Sequence, residues 1–440
     1  MSALVVTIEQ QLLQYRMNHN AIALGVSGGI DSLSMLDAFI LLSDKHFLSI
    51  HVVIVNHNMR PESKQEAADV AAHLQDRYGN SIRIAILHYE GMIGHSNRQK
   101  IARDRRYELL IEYCQRHDIK FLCTAHNYND QAETILMRIM RGTGIRGLQG
   151  IKESFFLNSV QIIRPLLTIS RDAIVEYMKN KNYPIVHDPS NENIHYTRTR
   201  CRQLLATVSE GENLLHGLCY LSQNAIRNQS YIDTMVRDFL KASVMIDDFA
   251  ALYLDIIAFL QLHEEIALRV LSIITSYIAY GTHNHNSYIS IYNFCHFKEA
   301  KLSKLIQLYR KVIQSHGQIK VTFNKCEIFS NKKAIIFIKE LQYAPKDIIL
   351  QGQKSMIWDQ RFYIANNSTH DIRISPLKAK NLCKIRQENQ GKKIPYAKIL
   401  FSTPAIYDSQ GEIIYSILDH KDPYIIRCEL ISDITYYKSI

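Results

Sequence analysis

Six consecutive residues, Ser27, Gly28, Gly29, Ile30, Asp31 and Ser32, place two glycines, two hydroxyls and a carboxylate between an apolar run and an amphipathic one. Glycines let backbone amides approach an anion, and amides at a helix start point outward with the positive end of the helix dipole. Phosphate or pyrophosphate suits such a turn. No lysine follows as in a Walker A loop, so the grip must come from hydroxyls and backbone dipoles, with Asp31 suited to hold Mg2+ on the phosphates. The same residues would also serve a plain tight turn in which a serine caps a helix.

A second group lies about a hundred residues on, in the run TAHNYNDQAET from Thr124 to Thr134. Asp130 and Glu133 are three apart where a helix should open, so their carboxylates share a face and suit a cationic amine. They would equally complement the helix dipole, worth ~0.3–1 kcal/mol each. His126 could orient a nucleotide or shuttle a proton, or be a hydrogen-bonded structural ring. Upstream, Arg103 and Arg106 share a helical face, and Arg106 is the choice for a phosphoryl or transition-state contact, since a guanidinium binds such oxygens bidentately. The alternative there is a solvated basic face that includes Arg98, Lys100 and Arg105. Downstream, Arg198 and Arg202 follow an Asp188-Pro189-Ser190-Asn191 turn and can neutralise triphosphate or RNA phosphate charge.

Such groups need a rigid frame. β-Branched runs at 21–26, 49–55, 82–89 and 119–125 alternate with amphipathic stretches, among them 63–78, which opens on a Ser63/Glu66 capping-box pattern, and 97–117. This rhythm predicts an α/β fold with a doubly wound parallel sheet covered on both faces. Ligands of such sheets sit beyond the carboxyl ends of the strands, in the loops after Val26, Val55, Tyr89 and Ala125. From about residue 201 the pattern turns helical, and after about 316 it becomes short strands with basic loops. The expected division is 1–200 for an α/β catalytic domain, 201–315 for a helical domain and 316–440 for a small α+β domain.

The 440 residues are 47% hydrophobic and 21% charged, an ordinary globular composition. Lysines and arginines number 52 against 42 acids, a net charge of +10 that favours a polyanionic partner without specifying one. The eight cysteines include no C-x-x-C pair and no zinc spacing, so reduced thiols are expected. No signal peptide is visible at the N-terminus. The longest apolar stretch, 266–279, falls short of the ~20 residues that span a bilayer. A cytoplasmic enzyme without a membrane partner is expected.

The hexapeptide from Ser27 to Ser32 resembles the signature of PP-loop (N-type) ATP pyrophosphatases, adenine nucleotide alpha hydrolase-like proteins that split ATP between the α and β phosphates to adenylate a substrate. Further motifs resemble the tRNA(Ile)-lysidine synthases. In NHNMRPES, His57, Arg60 and Ser63 match D-H-G-L-R-x-x-S, while Asn56 and Asn58 depart. ARDRRY resembles A-R-x-x-R-Y. His126, Asp130, Gln131, Ala132, Glu133 and Thr134 match A-H-H-x-D-D-Q-A-E-T, where Asn127 and Asn129 replace His and Asp. Arg164-Pro165-Leu166 and Asp188-Pro189-Ser190-Asn191 follow, then Arg198 and Arg202, with Thr199 in place of the usual Asn.

The resemblance implies ATP and Mg2+ as cofactors, and L-lysine and the CAU-anticodon tRNA(Ile) as partners. It also implies adenylation of C2 of the wobble cytidine, followed by attack of the lysine ε-amine to give lysidine. Decoding then changes from AUG to AUA. By the same resemblance, residues 27–32 hold the phosphates, Asp31 the metal, Arg106 and Arg198 the developing charge, and Asp130 and Glu133 the amine. Lys378, Lys380, Lys384, Arg386, Lys392, Lys393 and Lys398 form the basic element of the last domain. The oligomeric state stays open, a homodimer included. Two rivals remain: a catalytically silent RNA-binding relative, and a ligase that adenylates a small carboxylate.

Overall fold

The computed structural model describes residues 2–56, 62–89, 98–186, 197–208, 211–280, 283–284, 287–288, 301–359, 361–382, 387, 396–407, 413–416 and 426–430, and structural statements refer to these. The chain forms two compact units, Met1–Ser230 and Tyr231–Ile440.

The first unit begins with α1 (Ala3–Gln14), β1 (Ala21–Val26), α2 (Ile30–His46), β2 (Ser49–Asn56), α3 (Ser63–Tyr78), β3 (Ile82–His88), α4 (Arg98–Arg116) and β4 (Phe121–Thr124). It continues with α5 (Tyr128–Met140), α6 (Ile145–Leu148), β5 (Ser154–Leu157), β6 (Val160–Ile163), α7 (Arg171–Met178) and α8 (Thr197–Thr207). The sheet order is β3-β2-β1-β4-β6-β5. Five strands run parallel and only the edge strand β5 is antiparallel, so the expected parallel α/β sheet is present. The β5–β6 hairpin is an addition to the expected strands.

Period-two alternation sorts the sheet's side chains between two cores. Ile22, Leu24, Val26, Ile50, Val52 and Ile54 pack with α1, α2, α3 and α7 on one face. Ala23, Val53, Leu122 and Ile162 pack against Tyr107, Leu110, Ile111 and Cys114 of α4 on the other. The start of α3 differs from its capping-box expectation. Its N-cap is Glu62 without a side-chain cap, and the Ser63 hydroxyl donates to the buried Asn56 side chain at 2.8 Å. An unpaired amide oxygen buried at the end of β2 would cost more than an exposed helix end, and this contact satisfies that oxygen.

The helix α9 (Gly211–Ser243) starts in the first unit, where Leu218 and Cys219 pack on Ala132 and Ile135 of α5. The second unit adds β7 (Val244–Ile246), β8 (Leu252–Asp255), α10 (Ile256–Leu260), α11 (Glu264–Tyr280), a pair β9 (His283–Asn284) and β10 (Ser287–Tyr288), and α12 (Leu302–Gln314). Next come β11 (Lys320–Phe323), β12 (Cys326–Ser330), β13 (Ala334–Lys339), β14 (Ile348–Leu350), β15 (Lys354–Trp358) and β16 (Phe362–Asn366). The last strands are β17 (Ile372–Pro376), β18 (Pro404–Tyr407), β19 (Ile413–Ser416) and β20 (Ile426–Leu430). They form antiparallel sheets ordered β11-β12-β13-β8-β7, β14-β17-β18-β19 and β15-β16-β20. Strands β7 and β8 interrupt the stretch read as helical. Leu252 and Leu254 alternate inward and join α11 and α12 in one core with Ile328, Ile335 and Phe337.

One buried ion cluster ties these layers. Asp359 pairs with Lys339 of β13 and, at 2.5 Å, with Arg361, whose Nη2 also donates to the Ser402 carbonyl at 2.9 Å. All three side chains are buried. Asp359→Ala leaves two buried cations without their carboxylate and should cost ~3–5 kcal/mol, read as a lower urea midpoint. A loss below ~1 kcal/mol would mean that this cluster is screened like a surface pair.

Candidate active site

The loop of residues 27–32 is held in shape by its own hydroxyls. Ser32 Oγ donates to the Gly29 carbonyl at 2.9 Å and accepts from the Ser27 amide at 3.1 Å, with Ser27 Oγ at 3.4 Å. Gly29 is the N-cap of α2 and Gly28 has φ +80°, a left-handed conformation open to glycine at little cost. The two glycines thus carry the chain from β1 into α2 with the helix start aimed beyond the carboxyl end of the sheet. Ile30 and Asp31 form the first turn of α2.

The loop after β4 closes on this turn. Asn127 caps α5 in a full capping box: its side chain accepts from the Asp130 amide at 3.0 Å, and Asp130 accepts from the Asn127 amide at 3.1 Å. The free half of the Asn127 amide donates to Asp31 Oδ1 at 3.1 Å, joining the two strand-end loops. Arg171, first residue of α7, reaches Asp31 Oδ2 at 3.4 Å, and its backbone amide donates to Asn129 at 3.0 Å. Asn127 and Asn129, which stand where the resembled motif has His and Asp, therefore have structural partners. Burial raises the Asp31 carboxyl pKa, opposed by Arg171 and reinforced by Asp130.

Asp130 and Glu133 share one side of α5, as their spacing requires. Both accept from Arg198 of α8, Glu133 from Nε at 2.6 Å and Asp130 from Nη2 at 2.7 Å. Arg202, one turn on, donates Nε to Glu133 at 2.7 Å. Glu133 is only 2% exposed, so removing its cations would strand its charge away from water. Burial pushes the Asp130 carboxyl pKa up, Arg198 pulls it down and Glu133 raises it again.

His126 lies between β4 and this cluster, its Nδ1 3.2 Å from Thr124 Oγ1. Burial holds its pKa well below 6.5, helped by the charges of Arg164, Arg106, Arg103 and Arg198. The ring is therefore neutral near pH 7 and cannot supply an imidazolium. Arg106 on α4 belongs to this cationic group. Its own pKa is lowered by burial and by Arg103, while Tyr107 opposes the shift. Arg164 is buried, donating to the Lys152 carbonyl and, at 3.2 Å, to Tyr107.

Residues 27–32, Asp31, Asp130, Glu133 and Arg198 thus meet at one end of the sheet, with His126 and Arg106 in the adjoining basic group. His57, Arg60 and the Asp188-Pro189-Ser190-Asn191 turn lie outside the described residues. Two contributors were missed from sequence. Arg171 had no local signal, being 140 residues from Asp31. Asn127 did have one, since Asn-x-x-Asp before an amphipathic run is an N-cap pattern.

The PP-loop domain profile matches residues 4–208, the span that builds this site, so the class is a PP-loop, ATP-using enzyme. Whole-chain relatives narrow it further. The chain is 32% identical to the tRNA(Ile)-lysidine synthase of Wolbachia pipientis wMel over 82% of this chain and 80% of that one. It is 31% identical to that of Wolbachia sp. subsp. Brugia malayi (strain TRS), over 83% and 81%. For Anaplasma marginale (strain St. Maries) the identity is 30%, over 79% and 72%. The chain belongs to the tRNA(Ile)-lysidine synthase family, and it is an ATP-dependent ligase.

The depressed His126 pKa has a thermodynamic consequence of definite sign. Below 6.5 the unfolded chain takes up a proton at this ring that the folded protein refuses, so stability falls as pH falls. His126→Asn should remove that part of the loss. The measurement compares urea midpoints near pH 7.5 and about pH 5.5. An identical pH dependence in the variant would show that His126 is charged in the fold.

Proposed function

We propose that the first unit adenylates the C2 oxygen of the wobble cytidine in the CAU-anticodon tRNA(Ile) and then joins L-lysine to C2, forming lysidine. The observation that carries this reading is the Asn127 bridge. It brings Asp31, beside the phosphate loop, into the same cluster as Asp130 and Glu133. A nucleotide site and a cation site then adjoin, as a two-step transfer between them requires.

Residues 27–32 hold the ATP phosphates through backbone amides and the Ser27 and Ser32 hydroxyls. Mg2+ takes one or two carboxylates, with phosphates and water completing its shell. Asp31 fits as that carboxylate, because it stands in the first turn of α2, directly after the two glycines of the loop and Ile30. The ion, when bound, would neutralise phosphate charge. The C2 oxygen bonds to the α-phosphorus as pyrophosphate leaves, and Arg106 offsets the charge that develops. The lysine ε-amine then bonds to C2 as AMP departs with the oxygen.

Asp130 and Glu133 receive the ammonium form of that amine. They already hold Arg198 and Arg202, so lysine binding is an exchange of cations in which Arg198 turns toward phosphate. The raised Asp130 pKa brings this carboxylate nearer the range in which it can accept the amine's proton. For tRNA, the +10 charge and the basic residues beyond 377 supply phosphate contacts. Of these, Lys378 is exposed and Lys398 pairs with Glu327, while the side chains of Lys380, Lys384, Arg386, Lys392 and Lys393 lie outside the described residues. The protein acts in the cytoplasm; no helix among the described residues is long and apolar enough to cross a membrane.

The direct test incubates the protein with ATP, labelled lysine and total bacterial tRNA. Label should enter one tRNA species, with AMP and pyrophosphate released, and Asp31→Ala should stop both. Label in no tRNA would overturn the reading. Glu133→Gln and Asp130→Asn should raise the lysine requirement at least tenfold more than that for ATP, since a neutral amide cannot match an ammonium in a half-dry site. Equal losses for both ligands would make these carboxylates purely structural.

A further inference from the structure

Asp37 lies on α2, away from the carboxylates of the site, yet it is the most elaborately held acid in the first unit. Its buried carboxylate accepts from Tyr177 of α7 at 2.6 Å, Tyr183 at 2.9 Å, Tyr78 of α3 at 3.5 Å, and the Lys181 ammonium. Arg77 adds a bond to the Asn182 carbonyl at 3.1 Å and stacks over the Tyr183 ring at 4.3 Å. Residues 181–186 are thereby fastened to α2 and α3. Burial would raise the Asp37 pKa, but bonds from Lys181, Tyr177 and Tyr183 bring it below the ordinary value, so the anchor stays ionised.

The far end of this segment touches the phosphate loop. The Val186 amide donates to the Gly28 carbonyl at 3.0 Å. Val186 also packs so closely that a Cβ added to Gly28 would lie 2.9 Å from its Cγ2, and equally close to Val70 of α3. In a trans peptide the carbonyl and the next N–H point in opposite directions. A donor that draws the Gly28 carbonyl toward residue 186 therefore turns the Gly29 N–H the other way. That N–H belongs to a helix start, where the first amides have no helical acceptor and are available to an anion.

We propose that Asp37 is a positioning residue for ATP: it anchors residues 181–186 as a strap whose Val186 amide fixes the Gly28–Gly29 peptide with the Gly29 N–H facing the phosphates. The inference rests on the assignment of residues 27–32 to ATP phosphate. It explains why Asp37 of α2 takes two polar links, from Lys181 and Tyr183, out of the segment after α7, with Tyr177 of α7 and Tyr78 of α3 completing its shell. It also predicts that the effect of Asp37 is specific to phosphate, because adenosine makes no use of the Gly29 amide.

The experiment measures binding of ATP and of adenosine to the full chain by equilibrium dialysis, alongside thermal melting and steady-state kinetics. Asp37→Asn should raise the KM for ATP about tenfold with kcat changed less than about twofold, and Asp37→Glu should recover part of the loss. Val186→Pro deletes the donor itself and should weaken ATP about tenfold while leaving adenosine affinity unchanged. It supplies the test independently if Asp37→Asn does not fold. Unchanged ATP affinity in Val186→Pro, or parallel losses of ATP and adenosine, would overturn the strap. Failure of the unaltered protein to bind ATP would instead sink the phosphate-loop assignment.

Discussion

Three carboxylates crowded into one half-buried site are the constraint on which the rest of the first unit depends. Asp31 and Asp130 each raise the other's difficulty, and Glu133 adds to it, because like charges beyond the reach of bulk water repel with little screening. The fold answers with three guanidiniums, Arg171 on Asp31 and Arg198 and Arg202 on the α5 pair. Arginine suits the task, since its planar fork satisfies two carboxylates at once, as Arg198 does, and stays charged. Removing one partner would cost more than the pair contributes, so acids and cations must be kept together.

This balance dictates chain order. The acids come from the starts of α2 and α5, which follow β1 and β4 and which the parallel sheet brings side by side, but every balancing cation comes from later elements, α7 and α8. The parallel core can pack from hydrophobic pattern, whereas the site reaches neutrality only when the chain as far as Arg202 has docked. The region after β6 is therefore part of the electrostatics of this site. The Asp37 links and the Val186 contact tie the same stretch to the Ser27–Ser32 loop from another direction.

Much of this was legible in the sequence because it is local. The strand Ala21–Val26 was readable as a short β-branched apolar run, the helix Ser63–Tyr78 from period 3.6, and the Ser27-to-Ser32 turn from its glycines. Asp130 and Glu133 share a face by spacing. The β5–β6 hairpin escaped because its strands have four residues each and turn at Asn158, which adopts φ +54° without a glycine to mark it. Strands β7 and β8 were hidden for a different reason: runs of three and four residues fit a helix turn as well as a strand, and only the pairing of β7 with β8 and of β8 with β13 decides. Long-range choices, such as Arg171 for Asp31, leave no periodic trace. The departures Asn56, Asn127 and Asn129 read as losses of ionisable groups, yet each has a hydrogen-bonded side chain. An amide supplies both donor and acceptor, which a carboxylate cannot, and Asn127 uses both at once.

The same neutrality bears on the order in which substrates enter. A lysine ammonium approaching Asp130 and Glu133 meets carboxylates already satisfied, so its intrinsic gain is the difference between two cation pairings and is small. ATP changes that balance, because its phosphates bring several negative charges to the neighbouring loop and give Arg198, with a side chain 33% exposed, a second place to bond. A guanidinium drawn to phosphate leaves a vacancy of one positive charge at the α5 pair, and an ammonium fits that vacancy. Under the proposed reading, nucleotide therefore strengthens the lysine site through charge alone, and by linkage lysine strengthens the nucleotide site to the same extent. The coupling needs no rearrangement of the sheet, only a side chain that has two partners and enough solvent exposure to move between them.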